Sequence, residues 1–389
     1  MSERICVFDT TLRDGEQAAG VCFSARDKVE IAEQLDAMGV DVIEAGFPVN
    51  SPAEAAAVSQ VALEVQGAAV CALARAVPRD VAIAGEALRH AARPRVHVFV
   101  NASDIQLAHQ LQKSREQVIA MAAAMVASAR DFSEDVEFSP MDATRSDPAF
   151  LADLVAATVR AGASTINLPD TVGFATPDQV AAMFRDVAAK VPEIADAGVV
   201  LSFHGQDDLG LATANSLAAI GAGARQVEVA VNGIGERAGN TAFEEVVSAL
   251  HVHGERLGVH TGVDPGGIWK LSQEVTRRSG IAIPPNKAVV GGNAFRHASG
   301  IHQDGVLKHR ETFEVLDPAL IGHPVGTEIV LGKLSGRNGF ARRVAALGIE
   351  LDASGVERAF RAFQRVAAER PFVDDAGLRA IVAGTAPGR

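Results

Sequence analysis

Short apolar runs alternate with longer amphipathic stretches along the first two thirds of the chain. Eight runs are of strand length and rich in β-branched residues, at positions 5–10, 42–47, 69–73, 96–101, 136–139, 165–168, 199–204 and 227–232. Between them, apolar residues return at three and four positions, which predicts helices over 26–38, 114–130, 147–161 and 177–191. Strand followed by helix, repeated eight times, predicts an α/β fold of the parallel (β/α)8 TIM-barrel type over residues 1–257.

The chain beyond residue 257 has a different pattern. Glycine, proline and helical segments replace the alternation there, and we predict a linker and small, mainly helical subdomains over 258–389. Within them the run V-V-G-G-N-A-F-R-H-A-S-G-I-H-Q-D-G at 289–305 is too polar and glycine-rich for ordinary helix packing, which predicts a loop that reaches a site. For the first part of the chain an open doubly wound sheet is the alternative fold, and the absence of a G-x-G-x-x-G fingerprint after the first strand disfavours it.

Composition limits the partners of the protein. The 389 residues are 48% hydrophobic and 22% charged, and no uninterrupted apolar stretch is long enough to span a bilayer. The N-terminus enters a predicted strand without a signal peptide, so we expect a cytoplasmic protein with no membrane partner. A formal net charge of −12 disfavours nucleic acid and favours small-molecule partners. Cys6, Cys22 and Cys71 lack the spacing of a zinc site or a disulfide framework and are expected to be buried free thiols.

Polar residues cluster where the predicted strands end. In a barrel the carboxyl ends of all strands meet at one mouth, so these residues become neighbours. Asp14 follows the first strand and supplies a hard oxygen ligand, while His204 and Gln206 lie two apart at the seventh strand and point to the same face. Asn232 could add a carbonyl oxygen from the eighth strand. Without a cysteine among them, these ligands favour Mg²⁺ or Mn²⁺, with Zn²⁺ or Co²⁺ as further options.

Each of these residues also has a structural explanation. A histidine at a strand end is often a hydrogen-bonded structural residue, and an aspartate in a turn is usually a cap. Arg13 could form a surface ion pair, and His97 on the fourth strand could be an ordinary core histidine. The convergence of several such residues on one mouth favours the metal site.

Several motifs resemble those of one enzyme family. The segments V-F-D-T-T-L-R-D-G-E-Q at 7–17, V-I-E-A-G-F-P at 42–48 and N-L-P-D-T-V-G-F at 167–174 are similar to motifs of the 2-isopropylmalate synthase and homocitrate synthase family, and matching segments continue to about residue 378. The resemblance implies a TIM-barrel acyltransferase that condenses acetyl-CoA with a 2-oxo acid to a 2-substituted malate. It also implies a divalent metal and a homodimer whose C-terminal region reaches the partner barrel. Because the sequence ends at residue 389, no C-terminal leucine-regulatory domain is expected.

The same resemblance assigns roles to individual positions. Asp14 and His204 match the family's metal ligands, and the ion chelates the 2-oxo acid. Arg13 is expected to stabilise the alkoxide with Glu44 holding it in place, and His302 in S-G-I-H-Q-D-G to remove a proton from the acetyl-CoA methyl group. The expected substrate-binding residues are Gln17, His97, Met141, Arg145 and Thr171. The expected acyl-CoA-binding residues are Asn232, Gly233, Gly235, Glu236 and Arg237.

Four positions depart from the family pattern by losing a polar function. Gln206 stands in place of the second ligand histidine of an H-x-H motif, and Met141 in place of a glutamate near the reacting carbonyl. Ala298 replaces the glutamate of H-E-S-G-I-H, and Phe313 replaces the tyrosine of a T-Y-E triplet. The pocket is either refitted for another substrate or no longer catalytic. Two alternatives therefore stay open, a metal-dependent carbon–carbon lyase or aldolase on the same fold and a catalytically lapsed paralogue that binds its ligand without turnover.

Overall fold

Eight parallel strands close into a barrel in the first of two compact units. The computed structural model describes residues 2–385 and separates a unit Met1–Ile283 from a unit Pro284–Arg389. In the first unit each strand pairs with the next, and β1 pairs with both β2 and β8, which closes the sheet. The barrel strands are β1 (Glu3–Asp9), β2 (Val42–Gly46), β3 (Ala69–Arg75), β4 (Pro94–Asn101), β5 (Asp135–Met141), β6 (Thr165–Asp170), β7 (Val200–Gly205) and β8 (Gln226–Val229). The predicted TIM-barrel class is confirmed.

Helices follow the strands and pack around the barrel. At two of them, Ser24 and Ser114 form capping boxes with the residue three positions on. The helices of this unit are α1 (Ala25–Ala37), α2 (Pro52–Glu64), α3 (Pro78–Ala87), α4 (Asp104–Gln106), α5 (Arg115–Ala129), α6 (Pro148–Arg160), α7 (Pro177–Lys190), α8 (Glu193–Asp196), α9 (Ala212–Gly221), α10 (Phe243–Leu257) and α11 (Ile268–Ser279). A π-helical turn spans Leu107–Leu111, and 3₁₀ turns span Gly15–Gln17, Pro48–Asn50, Ala143–Arg145, Val231–Gly233 and Pro265–Gly267. Among the described helices, none combines the length and apolar composition that a bilayer crossing requires.

The first unit extends beyond residue 257. Strand β9 (Val259–Thr261) pairs in parallel with β1, and α11 packs against α1. Arg278 of α11 forms ion pairs with Asp27 and Glu30 of α1. These contacts place the boundary between the units after residue 283, later than the sequence pattern indicates.

The second unit has its own hydrophobic core. It contains β10 (Arg296–His297), α12 (Gly300–Lys308), β11 (Glu328–Ile329), α13 (Arg337–Ala346), α14 (Ala353–Ala367) and α15 (Asp375–Gly384), with 3₁₀ turns at Arg310–Thr312 and Pro318–Ile321. Strands β10 and β11 pair in parallel, and Phe340 and Phe363 are buried among aliphatic side chains. The predicted helical character of the C-terminal region is confirmed. The loop predicted over 289–305 is wrong at its end, because α12 begins at Gly300.

The three cysteines differ in exposure. Cys71 is buried in β3, Cys6 is half-buried in β1, and Cys22 is exposed. Cys22 lies in the irregular segment before α1. The prediction that all three thiols are buried is therefore wrong for Cys22.

A buried lysine joins the loops that follow the first two strands. The Lys28 side chain on α1 is 1% exposed, and its Nζ lies 2.7 Å from Glu16 Oε2 and 2.7 Å from Glu54 Oε1. The same ammonium donates to the Ala45 carbonyl at 3.2 Å, and Glu54 also accepts the Phe47 N–H at 3.1 Å. One cation thus holds the turn after β1 and the loop after β2 at a fixed separation.

We expect Lys28→Met to lower the free energy of unfolding by about 3 kcal/mol, because it leaves two carboxylates facing each other without their cation. Urea unfolding followed by circular dichroism measures the change. Lys190→Met is the matched control, since its ion pair with Asp186 on α7 is about half exposed and should contribute less than about 0.5 kcal/mol. Equal losses of unfolding free energy in the two variants would show that Lys28 does not hold the turn after β1 and the loop after β2 together.

Candidate functional site

A cavity of about 210 Å³ opens at the carboxyl ends of the barrel strands. Its two sides differ in polarity. The apolar side comes from the loop after β2 and the consecutive strands β3 to β6, and consists of Phe47, Leu73, Phe99, Met141 and Pro169. The polar side comes from β7, β8 and the loops after β1, β7 and β8, and carries Arg13, Asp14, Gln17, His204, Gln206, Glu228, Glu236 and Arg237. The remaining lining residues are His97, Ser139, Asn167 and Thr171.

Arg13 is fixed by carboxylates on three sides. Its Nε lies 2.6 Å from Glu44 Oε2, its Nη1 2.7 Å from Asp14 Oδ2 and its Nη2 3.9 Å from Glu228 Oε2. Burial opposes the charge on Glu44, but Arg13 and His97 lower the pKa of Glu44 to about 2. Burial also raises the pKa of Asp14, but the neighbouring cationic groups bring it below its ordinary value. The site therefore keeps both carboxylates ionised around one guanidinium.

A histidine backed by a carboxylate stands next to Asp14. His204, on β7, has its Nδ1 2.8 Å from Glu228 Oε2, and its Nε2 lies 3.8 Å from Asp14 Oδ2. Burial lowers the pKa of His204, but Glu228 and Asp14 raise it above its ordinary value. A neutral ring that donates its Nδ1 proton to Glu228 presents a lone pair at Nε2. This is the arrangement of a carboxylate–histidine–metal triad.

The Gln206 amide completes this group, and its hydrogen-bond partners fix its orientation. Its nitrogen donates to the backbone carbonyls of Gly239 at 2.7 Å and Glu236 at 3.2 Å. The amide oxygen then lies 3.2 Å from His204 Nε2 and 3.4 Å from both carboxylate oxygens of Asp14. Lone pairs from three residues thus converge on one point. A divalent cation would satisfy all of them, so these residues fit the metal that the family resemblance implies.

Asn240 also belongs to this group, although the sequence analysis missed it. Its Oδ1 lies 3.1 Å from the Gln206 amide oxygen, and its Nδ2 donates to the Ile234 carbonyl at 3.0 Å. A β-bridge between Gln206 and Asn240 joins the segment after β7 to the loop after β8. The sequence feature that could have indicated Asn240 is the glycine-rich segment at 232–240, of which it is the last residue. A glycine-rich loop can turn sharply and return to the mouth of the barrel.

The prediction that Asn232 adds a metal ligand is wrong. Strand β8 ends at Val229, and Asn232 lies in the following turn with left-handed backbone at φ 61°. Its Nδ2 donates to the Ser272 carbonyl at 3.0 Å and to Thr276 Oγ1 at 3.1 Å, and its Oδ1 accepts from the Ser272 hydroxyl. The amide therefore ties the β8 loop to α11 and is not among the side chains that line the cavity.

The other predicted substrate and acyl-CoA residues divide into two groups. The cavity is lined by Gln17, His97, Met141, Thr171, Glu236 and Arg237. Among the residues that the structure describes, Arg145, Gly233 and Gly235 do not line the cavity. The predicted substrate role of Arg145 needs correction, because Asp142 holds its exposed guanidinium at 2.7 Å. Gly235 packs against Asn240 and Asp14, since a Cβ there would meet Asn240 Nδ2 and stand 3.1 Å from Asp14 Oδ1.

Two further groups of metal-binding residue types lie deeper in the barrel. Glu44, Cys71 and His97 form one, and His97, Glu137 and Glu228 form the other, with ligand atoms within 4.8 Å of one another. Their carboxylates and imidazole already face protein partners, namely arginines on β4 and after β1 and a serine on β5. They form a buried hydrogen-bonded network beneath the cavity and not a second metal site.

His302, the predicted base, lies in the second unit. It is exposed near the start of α12, and its ring stacks on Phe313 with 4.3 Å between ring centroids. His297 lies edge-on to it at 6.4 Å and forms a hydrogen bond with Glu314 at 2.9 Å. The imidazole thus has an aromatic face, and no phenol hydroxyl, beside it.

Comparison with known proteins agrees with this architecture. The HMGL-like family model matches residues 4–275, and the homocitrate synthase post-HMGL domain-like model matches residues 289–371. The 2-isopropylmalate synthase of Pyrococcus furiosus is 49% identical over 98% of this chain and 76% of its own. That of Carboxydothermus hydrogenoformans is 50% identical over 98% of this chain and 74% of its own. The solved hydroxymethylglutaryl-CoA lyase from Pseudomonas aeruginosa superposes with a TM-score of 0.62 at 24% identity, covering 73% of this chain and 95% of that chain.

A parallel barrel with charged and oxygen-rich ligands at one mouth defines a TIM-barrel enzyme. The matches narrow this class, because they extend over nearly the whole chain. The chain belongs to the 2-isopropylmalate synthase and homocitrate synthase family of metal-dependent acyltransferases, which confirms the resemblance found in its motifs. The likeness to the lyase shows the fold alone, so the lyase alternative is not favoured.

We expect Glu44→Gln to destabilise the fold at neutral pH, because Arg13 and His97 lose their ionised partner. The pKa of Glu44 falls from an ordinary value of 4.5 to about 2 in the fold. Its ionised form therefore stabilises the fold fully above pH 4.5, and this contribution is lost as the pH falls toward 2. We expect a difference between wild type and variant of about 3 kcal/mol at neutral pH that shrinks through this range.

Urea unfolding at a series of pH values measures this difference. Glu33→Gln on the exposed face of α1 is the control, and a change of less than about 0.5 kcal/mol is expected for it. A difference between wild type and Glu44→Gln that stays constant from neutral pH to pH 3 would show that the ionised form of Glu44 is not what stabilises the mouth.

Proposed function

We propose that the protein joins the acetyl methyl carbon of acetyl-CoA to the keto carbon of a 2-oxo acid, and that hydrolysis of the thioester then gives a 2-substituted malate and free CoA. The observation that carries this proposal is the convergence of Asp14, His204 and Gln206 beside the fixed guanidinium of Arg13. Relatives that are 49% and 50% identical carry the name 2-isopropylmalate synthase, which supports the same type of reaction.

Asp14, His204 and Gln206 would hold a divalent ion, with Asn240 beside them. The ion would polarise the keto group when bound. Oxygen donors outnumber the single imidazole nitrogen in this group, which favours Mg²⁺ or Mn²⁺ over Zn²⁺ or Co²⁺. Asp14 is held ionised by its surroundings, so it is ready to bind a cation at neutral pH.

Arg13 and Thr171 would position and stabilise the oxo acid. The guanidinium of Arg13 is already fixed by Glu44, so it can meet negative charge on the keto oxygen without reorganising. The Thr171 hydroxyl oxygen accepts the Asp142 N–H at 2.8 Å, which directs its own proton toward another acceptor, and the substrate carboxylate is a suitable one.

The apolar side of the cavity would hold the side chain of the oxo acid. Phe47 and Phe99 meet edge to face at 6.2 Å, and Leu73 and Met141 continue the same surface. A second carboxylate or a phosphonate placed there would lose its hydration without gaining a charged partner. We therefore propose an oxo acid with an apolar side chain.

Acyl-CoA would enter beside the loop after β8, where Glu236 and Arg237 line the rim. His302 would remove the methyl proton, since imidazole is suited to general-base work near neutral pH. We further propose a cytoplasmic homodimer in which the second unit reaches the partner barrel. The second unit exposes large apolar side chains that such a contact would cover, among them Ile301 at 77% and Leu334 at 73% exposure.

A thiol-release assay over a panel of 2-oxo acids tests this function. With acetyl-CoA and Mg²⁺ or Mn²⁺ we expect CoA release for apolar oxo acids, and kcat/KM at least about tenfold lower for those with a second carboxylate or a phosphonate. His302→Asn should lower release by about 10²–10⁴-fold while calorimetry still detects oxo-acid binding. Release by no pair would reject the acyltransferase, and release gained only by Met141→Glu would identify a lapsed paralogue.

A second prediction concerns the choice of metal. We expect Gln206→His to raise the affinity for Zn²⁺ and Co²⁺ by at least about tenfold, because imidazole binds these ions more strongly than an amide oxygen does. Calorimetric titration of chelator-treated protein with each ion measures the affinities without turnover. Gln66→His, at an exposed position before β3, is the control for a histidine added elsewhere. Unchanged affinities in Gln206→His would exclude Gln206 as a ligand.

A further inference from the structure

A carboxylate, an imidazole and a hydroxyl form one hydrogen-bonded chain that ends in the cavity. Glu44 Oε1 lies 2.8 Å from His97 Nδ1, and His97 Nε2 lies 2.7 Å from Ser139 Oγ. Asn167 Nδ2 donates to the same hydroxyl oxygen at 2.9 Å. Glu44 and His97 are buried, while Ser139 lines the cavity. The three members stand on β2, β4 and β5, so the chain runs through the barrel interior to its mouth.

The charge of His97 decides where the Ser139 proton points. When both ring nitrogens are protonated, His97 donates to Glu44 and to Ser139. The hydroxyl oxygen then accepts twice, from His97 and from Asn167, and its own hydrogen is directed to the cavity. When only Nδ1 is protonated, the hydroxyl donates to His97 Nε2. The two states differ by one proton, and that proton can leave or enter at Ser139.

The surroundings of His97 support both states. The titratable and charged groups around the ring are Glu44 on β2, Cys71 on β3, Arg95 on β4, Glu137 on β5 and Glu228 on β8, with Arg13 beyond Glu44. Burial lowers the pKa of His97, but Glu44 and the other carboxylates raise it above its ordinary value. The ring can therefore carry its second proton near neutral pH and release it when a stronger base forms in the cavity.

The next cavity-facing position on the same strand cannot supply this proton. Ser139 and Met141 lie two apart on β5, face the same side and both line the cavity. A thioether has no proton to donate and accepts one poorly. Ser139 is therefore the member of this pair that can carry proton transfer.

We propose that Glu44, His97 and Ser139 form a proton relay for the condensation, an inference that rests on the proposed function. When the methyl carbon bonds to the keto carbon, the keto oxygen becomes an alkoxide and takes the proton of the Ser139 hydroxyl. His97 Nε2 returns a proton to Ser139 and becomes neutral, with its Nδ1–H still bonded to ionised Glu44.

The second half of the reaction restores the relay. Water attacks the thioester carbon, and its proton passes through Ser139 to His97 Nε2. The C–S bond breaks, CoA leaves as thiolate, and the new carboxylic acid gives its proton to that thiolate. The relay thus gives one proton and regains one in each turnover, while the methyl proton taken by His302 is released to solvent.

Ser139→Ala in the thiol-release assay tests the relay, after wild-type release has been measured with the same substrates. We expect kcat to fall by about 10²-fold or more and KM for the oxo acid to change less than about threefold. Ser139→Thr keeps the hydroxyl and should retain more than about a tenth of kcat. Ser202→Ala, a buried serine on β7 outside the cavity lining, controls for the loss of a barrel hydroxyl and should stay within about twofold.

His97→Gln supplies a readout that a packing role would not change. Glutamine can keep a hydrogen bond to Ser139 but does not titrate, so the limb of the kcat–pH profile that belongs to His97 should disappear. Wild-type turnover with a raised KM and unchanged kcat in Ser139→Ala would reduce Ser139 to a substrate contact and overturn the relay alone. Absence of CoA release by the wild type would overturn the proposed function and the relay with it.

Discussion

The ion pair between Arg13 and Glu44 is the interaction on which the site depends. A guanidinium that is only 10% exposed is costly unless carboxylates surround it, and Glu44 at 2.6 Å is the nearest of them. On one side Arg13 fixes Asp14, which follows it in the chain and faces the proposed metal position. On the other side Glu44 holds the Nδ1–H of His97 and so decides which ring nitrogen faces Ser139. The charges of Arg13 and Glu44 thus position both Asp14, a proposed metal ligand, and the hydrogen-bonded chain from Glu44 through His97 to Ser139.

The barrel could be predicted because the alternation of apolar strands and amphipathic helices is visible in the sequence itself. The site also depends on the residue at which each strand ends, and this alternation does not fix that residue. Asp14 follows β1 and His204 lies near the end of β7, and both line the cavity at the mouth of the barrel. Strand β8 ends at Val229, three residues before the predicted end, so Asn232 turns away to α11. Asn240 reaches the mouth instead, through a loop whose path requires positive φ at Gly233 and Gly239. No pattern of apolar residues encodes such a path.

The four departures from the family pattern differ in what they remove. The Gln206 amide oxygen lies beside Asp14 and His204, and its nitrogen is anchored by two backbone carbonyls, so in the proposed metal site the change alters the type of ligand without removing one. Met141 and Phe313 stand where the resemblance implies a glutamate and a tyrosine, and neither side chain can exchange a proton. The buried network beneath the cavity keeps its arginines in ion pairs with Glu44 and Glu137, although apolar residues would serve stability as well. A chain that keeps costly charges around its mouth while changing the apolar side fits a refitted pocket better than decayed catalysis.

His302 and Phe313, which stack on each other in the second unit, bear on the proposed proton chemistry. The His302 ring stacks on Phe313 with 4.3 Å between ring centroids, and phenylalanine offers an aromatic face without a hydroxyl. What a phenylalanine cannot do is donate a proton to an alkoxide. In the barrel, Met141 lines the cavity and has no proton to donate either. An acid for the proposed condensation needs a hydroxyl that lines the cavity and has a proton source behind it, and Ser139 with His97 at 2.7 Å meets both conditions.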